Sequence, residues 1–236
     1  DVVIVFLNFV VSKFGPVAIF MLLTRTFASY GVEHLKPAVA YVILTVALLL
    51  IFLIIGYPAF IAIFAHLDPF KFAKKITRVA VFGFSTSSSA ATLPLNVKTT
   101  VEELGVDEKI ASFVLPLGMT INMNGTAIMQ VIATLFIAGC AGYSISFTQL
   151  VVIALLALIA SAGTPAAPGS GAIILFTILS GLGYVNDAAM LAYSLILAIN
   201  RPIEMLVTAL NVVGDSATSI YVAKSEGVLN EDVYNA

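Results

Sequence analysis

The sequence is poor in charge. Lys, Arg, Asp and Glu make up 10% of its 236 residues, where a soluble domain carries about a quarter. Hydrophobic residues supply 60% and mean hydropathy is +1.07, so the low-dielectric solvent of this chain is lipid. Tryptophan is absent. The single cysteine, Cys140, excludes an intrachain disulfide and sits in an apolar run as a packing residue. His34 and His66 lie far apart in sequence, so no His/Cys zinc site can be assembled. A net charge of −2 offers no basic surface to nucleic acid. No nucleophile is set beside a histidine base and no metal-ligand cluster is present, which argues against an enzyme and against a resident cofactor. The chain starts at Asp1 inside an apolar run, without a basic leader, and reads as a fragment.

What is there is long stretches without charge. A spanning helix needs about 20 apolar residues. Residues 2–24 form a first candidate, interrupted by Lys13 and Pro16, and the uncharged run from Pro37 to Ala65 forms a second. After Lys71, Lys74, Lys75 and Arg78 comes an uncharged patch, Val79 to Val97, whose middle is rich in Ser and Thr. Charge on both of its flanks predicts that both ends lie on one side of the membrane, as in a hairpin that enters and returns. Its tip would need protein or water partners for the backbone. From Ile110 to Asn186 there is no charged residue, but there are two breaks, LGMTINMNGT (117–126) and SAGTPAAPGSG (161–171). The second reads as another hairpin with a Gly/Pro tip. An apolar helix over about 188–222 carries Arg201, Glu204 and Asp215, and a polar tail follows Lys224. The Lys and Arg positions predict a cytoplasmic side at 71–78, Lys98, Lys109 and Lys224. The first hairpin then enters from inside and the second from outside. Two opposed hairpins suggest an inverted repeat, and broken segments in matching places point to a midplane binding site.

Four motifs, SSSAATLP (87–94), NMNGT (122–126), SAGTPAAPGSG (161–171) and NVVGD (211–215), stand in the order and close to the spacing of one family. The chain resembles the C-terminal portion of the dicarboxylate/amino acid:cation symporters, which include glutamate and neutral amino acid transporters. The resemblance implies an all-α membrane protein with two opposed re-entrant helical hairpins and an unwound seventh helix. Residues 1–34 would be a helix of a trimeric scaffold, 35–226 the transport domain, and 227–236 a cytoplasmic tail. Within the transport domain, 36–66 resemble the sixth helix, 69–106 the first hairpin, 108–141 the seventh helix, 147–185 the second hairpin and 188–226 the eighth helix. It also implies a homotrimer in the cell (inner) membrane, in contact with lipid, that moves a small solute with sodium by an elevator-like motion.

A helix break frees carbonyls that suit a dehydrated hard cation. By resemblance, Gly118, Asn122, Asn211 and Asp215 would hold one sodium ion. Thr120 and Met123, with Ser161, Ala162 and Thr164 of the second tip, would hold another. Asn124 stands where the family has an Asp that serves a third ion, and offers the oxygen without the charge. Gly125 is expected to supply backbone freedom at the break. Packing between membrane helices is the plainer reading of these small residues. Asp215 needs a counter-charge in lipid and has no basic neighbour in sequence, which favours a cation.

Glu204, Thr208, Asn211 and Asp215 follow spacings of four, three and four and share one helix face. By resemblance, Glu204 takes the place of an Asp that binds the substrate amino group, and Thr208 and Asn211 contact the amino and carboxylate ends. Ser88, Ser89, Thr126 and the tip backbone around Ala167 and Gly171 complete the pocket. Helix N-termini suit a carboxylate there. Val207 occupies the position of an Arg that pairs with the second carboxylate of acidic substrates, and Val cannot form that bidentate contact. Arg201 lies three residues before Glu204, near enough for an ion pair, and could otherwise reach the substrate or the scaffold. Pro202 is expected to kink its helix or to fit an existing irregularity there. An acid kept and a base lost point to a neutral amino acid such as serine, threonine or alanine. A proton- or sodium-coupled carrier of C4 dicarboxylates or acidic amino acids is the alternative, with Arg201 as its base, and an anion-conducting channel is another.

Overall fold

The absence of charge between Pro37 and Ala65 lets one apolar helix run the full length of that stretch. This first helix, α1 (Leu35–Ile51), continues through a π-helical turn at Phe52–Gly56, the helical residues Tyr57–Phe60 and a second π turn at Ile61–Ala65. The widened turns flank Pro58, which has no N–H to give. His66 ends the helix in a left-handed conformation, with φ 55°. The structure is a computed structural model that describes residues 35–236 and, before them, only Val17, Phe20, Met21 and Thr24. The scaffold helix expected over 1–34 therefore lies outside the described residues, as does the spanning candidate at 2–24.

The described residues are all-helical, without a strand. Asp68 caps α2 (Pro69–Thr86) by accepting from the Phe70 and Lys71 amides, and Pro69 opens it. Ser87, with φ 49°, turns the chain, and Ser88 caps α3 (Ser89–Glu102) through Ala91 N–H. Asp107 caps α4 (Glu108–Ile121), which breaks at Asn122 and Met123 before α5 (Asn124–Cys140) resumes. A capping box of Ser146 and Gln149 starts α6 (Phe147–Ala162). A turn over residues 163–169 leads into α7 (Ser170–Leu182).

The single helix expected over 188–226 is two, α8 (Asp187–Ile199) and α9 (Arg201–Ser225). Pro202 removes the donor that would reach back to the Ala198 carbonyl, so the ladder is interrupted at Asn200. Asn200 stays buried: Tyr41 Oη donates to its Oδ1 at 2.7 Å, and its Nδ2 lies 3.0 Å from Met129 Sδ.

Helix α9 is the axis of the molecule. Of its most apolar stretch 78% is buried, against 22% for α1, and it packs on α1, α2, α3, α4 and α5. Small and polar residues let the helices approach. Gly83 of α2 meets Val212, and a buried network joins α3 to α9: Asn96 Nδ2 donates to Val212 O at 3.0 Å and Ser216 Oγ to Asn96 Oδ1 at 2.5 Å. Among the described residues, three helices, Ala38–Ala65, Glu108–Cys140 and Arg201–Ser225, are long and apolar enough to cross a membrane.

The polar tail folds back. Asn230 N–H donates to Gly105 O at 2.8 Å, and a short helix, α10 (Glu231–Asn235), seats the fully buried Tyr234 against α2. Tyr234 Oη donates to Asp68 O at 2.7 Å. Lys75 Nζ donates to the carbonyls of Glu103, Val233 and Tyr234 at 2.8–2.9 Å.

Candidate functional site

Two turns and one helix break meet along α9. The first turn is Ser87–Ser88, between α2 and α3. The second lies between α6 and α7, and the break is Asn122–Met123. The turns touch: Ser88 Oγ donates to Ala166 O at 3.0 Å. Between them lies a cavity of about 30 Å³, room for about one or two waters. It is lined by Ser87 and Ser89 from the first turn, Met123, Thr126 and Met129 from the break and α5, and Glu204, Val207, Thr208 and Asn211 from α9. The second turn supplies Thr164 to Ala167 and Gly169 to Gly171.

Eight of the nine expected substrate residues line this cavity: Ser89, Thr126, Ala167, Gly171, Glu204, Val207, Thr208 and Asn211. Ser88 does not, because its hydroxyl is used as cap and as tie between the turns. Met129, Pro165, Ala166, Gly169 and Ser170 also line it and were not anticipated; neither was Ser87 as a wall residue. Met129 stands three residues after Thr126 on the same helix face, so helical spacing alone points to it. Ser87 carries a stronger sign in three dimensions: its buried hydroxyl has no hydrogen-bond partner among the described residues.

The cavity has one charged wall residue, Glu204, and no Lys, Arg or His among the residues lining it. Glu204 is buried, and its Oε1 accepts from Ala172 N–H at 3.2 Å. Arg201 Nη1 stands 3.9 Å from Glu204 Oε2, with the arginine half-exposed. Arg201 is thus within ion-pair distance of Glu204. Asn211 ties the floor together. Its Oδ1 accepts from Gly125 N–H at 2.8 Å, and its Nδ2 donates to Thr126 Oγ1 at 3.2 Å.

Below the cavity, the first expected cation set comes together. Asn122 Nδ2 lies 2.8 Å from Asp215 Oδ1 and 3.3 Å from Asn211 O. Gly118 faces the same carboxylate, since a Cβ there would sit 2.6 Å from Asp215 Oδ1. An electropositive amide group thus points at a buried carboxylate and a carbonyl, where a cation would be welcome. The second set is not joined in this way. Thr120 and Ser161 each donate to a carbonyl of their own helix, Thr164 of the turn donates to Ala160 O at the end of α6, and Ala162 is exposed. Met123 Sδ faces Asn211 Nδ2 at 3.2 Å instead. Asn124 donates to Tyr57 Oη at 3.2 Å. Gly125 does not have the positive φ its expected role required; it is helical, and its lack of a Cβ matters because Val207 O lies 2.8 Å from where that atom would be.

The model of the sodium:dicarboxylate symporter family matches residues 1–225. The chain belongs to this family. Family relatives include an excitatory amino acid transporter of Caenorhabditis elegans, 32% identical over 219 residues, which are 92% of this chain and 42% of that protein. The proton/sodium-glutamate symport protein of Bacillus caldotenax is 31% identical over 223 residues, 94% of this chain and 51% of the relative. Excitatory amino acid transporter 1 of Rattus norvegicus is 34% identical over 176 residues, 75% and 32% of the two chains. The chain thus spans about half or less of the length of these curated relatives.

Proposed function

We propose that this chain is the substrate- and cation-binding portion of a secondary active symporter of the cell membrane, which couples sodium influx to uptake of a neutral amino acid. One observation carries the substrate class. The cavity between the two turns has a single carboxylate, Glu204, and no cation in its wall. The substrate ammonium would pair with Glu204, its carboxylate with Thr208, Asn211 and the N–H groups of the turns, and its short side chain with Val207. The unpartnered Ser87 hydroxyl is a further free group for it.

Sodium is the co-transported ion in this reading. Asp215, the Asn211 carbonyl, Asn122 and Gly118 are the groups that would hold it, and their chemistry fits a dehydrated monovalent cation. Thr120, Met123, Ser161, Ala162 and Thr164 would form a second site once the second turn shifts, and Asn124 serves a third site weakly without the carboxylate charge. Coupling requires that sodium and substrate each raise the other's affinity by the same factor. Residues 69–106 and 147–185 act as opposed re-entrant hairpins, 35–226 as a transport domain that moves elevator-like against a trimeric scaffold containing 1–34, and 227–236 as a cytoplasmic tail.

The test uses the full-length protein in proteoliposomes with an inward sodium gradient, and compares uptake of labelled serine and alanine with aspartate and succinate. Sodium-dependent uptake of the neutral amino acids alone is expected. Preferred uptake of aspartate or succinate would overturn the substrate class. That second reading, a carrier of acidic amino acids or dicarboxylates, is favoured by the names of the glutamate-transporting relatives. It would require Arg201 to leave Glu204 and face the cavity.

A further inference from the structure

Helix α9 ends in a way that aims the chain after it. Gly227, with φ 70°, reverses the backbone, and Val228 N–H reaches back to Ala223 O at 2.9 Å. Residues 228–236 then meet the ends of α2 and α3 that lie away from the Ser87–Ser88 turn. A second glycine receives them there. Gly105 O accepts from Asn230 N–H, and Gly105 has φ 73°, a conformation that strains any side chain. A Cβ on Gly105 would also stand 2.2 Å from Asn230 O. The two backbones touch only because no side chain stands between them.

Lys75 fastens what the glycines bring together. An ammonium has three N–H donors and no acceptor. Here all three donors find carbonyls: Glu103 O at 2.9 Å, Val233 O at 2.8 Å and Tyr234 O at 2.9 Å. Glu103 caps the end of α3, and Val233 and Tyr234 lie at the end of α10. Carbonyls at helix ends have no partner within their own helix, and a cation suits them. Lys71 Nζ adds a contact to Asn235 O. The acidic side chains of the tail do less. Glu231 pairs with Lys224 at the surface, where an ion pair contributes little.

We infer that residues 228–236 are a strap that ties the base of α2 and α3 to the end of α9, and that the charge of Lys75 fastens it. Lys75 is a positioning residue in this device, because it touches neither the cavity nor the cation set. The far end of the α2–α3 pair carries Ser87 and Ser89, and α9 carries Glu204, Thr208, Asn211 and Asp215. In the symport reading above, on which this consequence rests, the strap makes the α2–α3 pair travel with α9. The docking itself is tested without transport.

Hydrogen exchange of the full-length protein in detergent reads the strap at Asn230 and at the amides of α10. Lys75→Ala is expected to speed exchange there at least about tenfold, since every hydrogen bond of a charged donor is lost. Propylammonium chloride, which has the atoms that this substitution removes, should restore the protection. Sodium chloride at the same concentration should not. Glu231→Gln should leave exchange within about twofold. Gly105→Ala should release the strap as well, without rescue by propylammonium. Unchanged exchange in Lys75→Ala would overturn the strap. Fast exchange that propylammonium does not slow would overturn the role of the charge. Equal acceleration at the buried Ala133 of α5 would mean that Lys75 serves the whole fold, and would overturn it too. Uptake of labelled serine in proteoliposomes is read alongside. A released strap with uptake unchanged would remove it from transport. An unaltered protein that moves no amino acid would sink the symport reading and leave the docking standing.

Discussion

Replacing Val207 by arginine would put a guanidinium into a cavity whose wall carries one charge, the Glu204 carboxylate. A bidentate contact to a second carboxylate becomes available, and hydrogen bonds to charged groups contribute about 1.5–3 kcal/mol. Val207→Arg is therefore expected to shift competition in proteoliposomes from serine toward aspartate by about ten- to a hundredfold, as read from inhibition of labelled uptake. Retained preference for serine would separate Val207 from substrate choice. At Asp215 the expected change concerns the ion. The carboxylate is buried, with Asn122 as its hydrogen-bonded partner. Asp215→Asn keeps the shape and removes the charge, so the sodium concentration for half-maximal uptake should rise by about tenfold or more. An unchanged sodium dependence would remove Asp215 from the coupling site.

The glycines on these helices are of two kinds, and the difference is felt at the level of helix packing. A Cβ on Gly214 would stand 2.1 Å from Tyr57 Oη and 2.7 Å from Asn122 Nδ2. The close approach of α1, the α4–α5 break and α9 depends on that space. Gly214→Ala is expected to cost about 1–3 kcal/mol by overpacking, seen as a lower melting temperature in detergent. Gly139 on α5 has nothing within 4 Å, and Gly139→Ala should leave stability unchanged or raise it by up to about 1 kcal/mol. Equal responses at the two sites would contradict the packing argument. Both substitutions look alike in sequence, since each places alanine inside an apolar helix. Pro202 shows the reverse case, because a missing N–H is a property of the residue itself, and an irregularity at this point was legible, although the division into two helices was not.

Across the whole molecule, the tail ties the end of α9 to the base of α2 and α3. Tyr234 is fully buried, and burial together with the Asp68 carboxylate raises its phenol well above the usual range, which keeps it a neutral donor to Asp68 O. Tyr234→Ala removes a large buried ring, a change that costs about 3–5 kcal/mol in a core. Faster hydrogen exchange is then expected at Asn230, whose amide bonds to Gly105 O, and at the amides of α10. Protection left intact at Asn230 would mean that Lys75, and Lys224 through its ion pair with Glu231, hold the tail without the ring. Nothing in the polar composition of 224–236 announces this contact. A single tyrosine among charged residues carries no periodic pattern, and its hydroxyl finds its partner, the Asp68 carbonyl, 166 residues away.

Local chemistry decides what a residue can do alone, and that much is written in the chain. Low charge and long apolar runs determined that the described residues are helical, three of the helices long and apolar enough to cross a membrane. Asp, Ser and Asn caps, Pro and Gly placed the helix ends, and the 3.6-residue period put Glu204, Thr208, Asn211 and Asp215 on one face of α9. Approach between distant segments was decided only in three dimensions, because it depends on which surfaces meet. That is how Ser88 became a tie between two turns while Ser87 took its place in the wall. It is also why Gly125 serves close packing against Val207 rather than backbone freedom. Gln130 gave no sign in sequence of its reach to Gly171, since a lone amide in an apolar helix acquires its meaning from the peptide it finds.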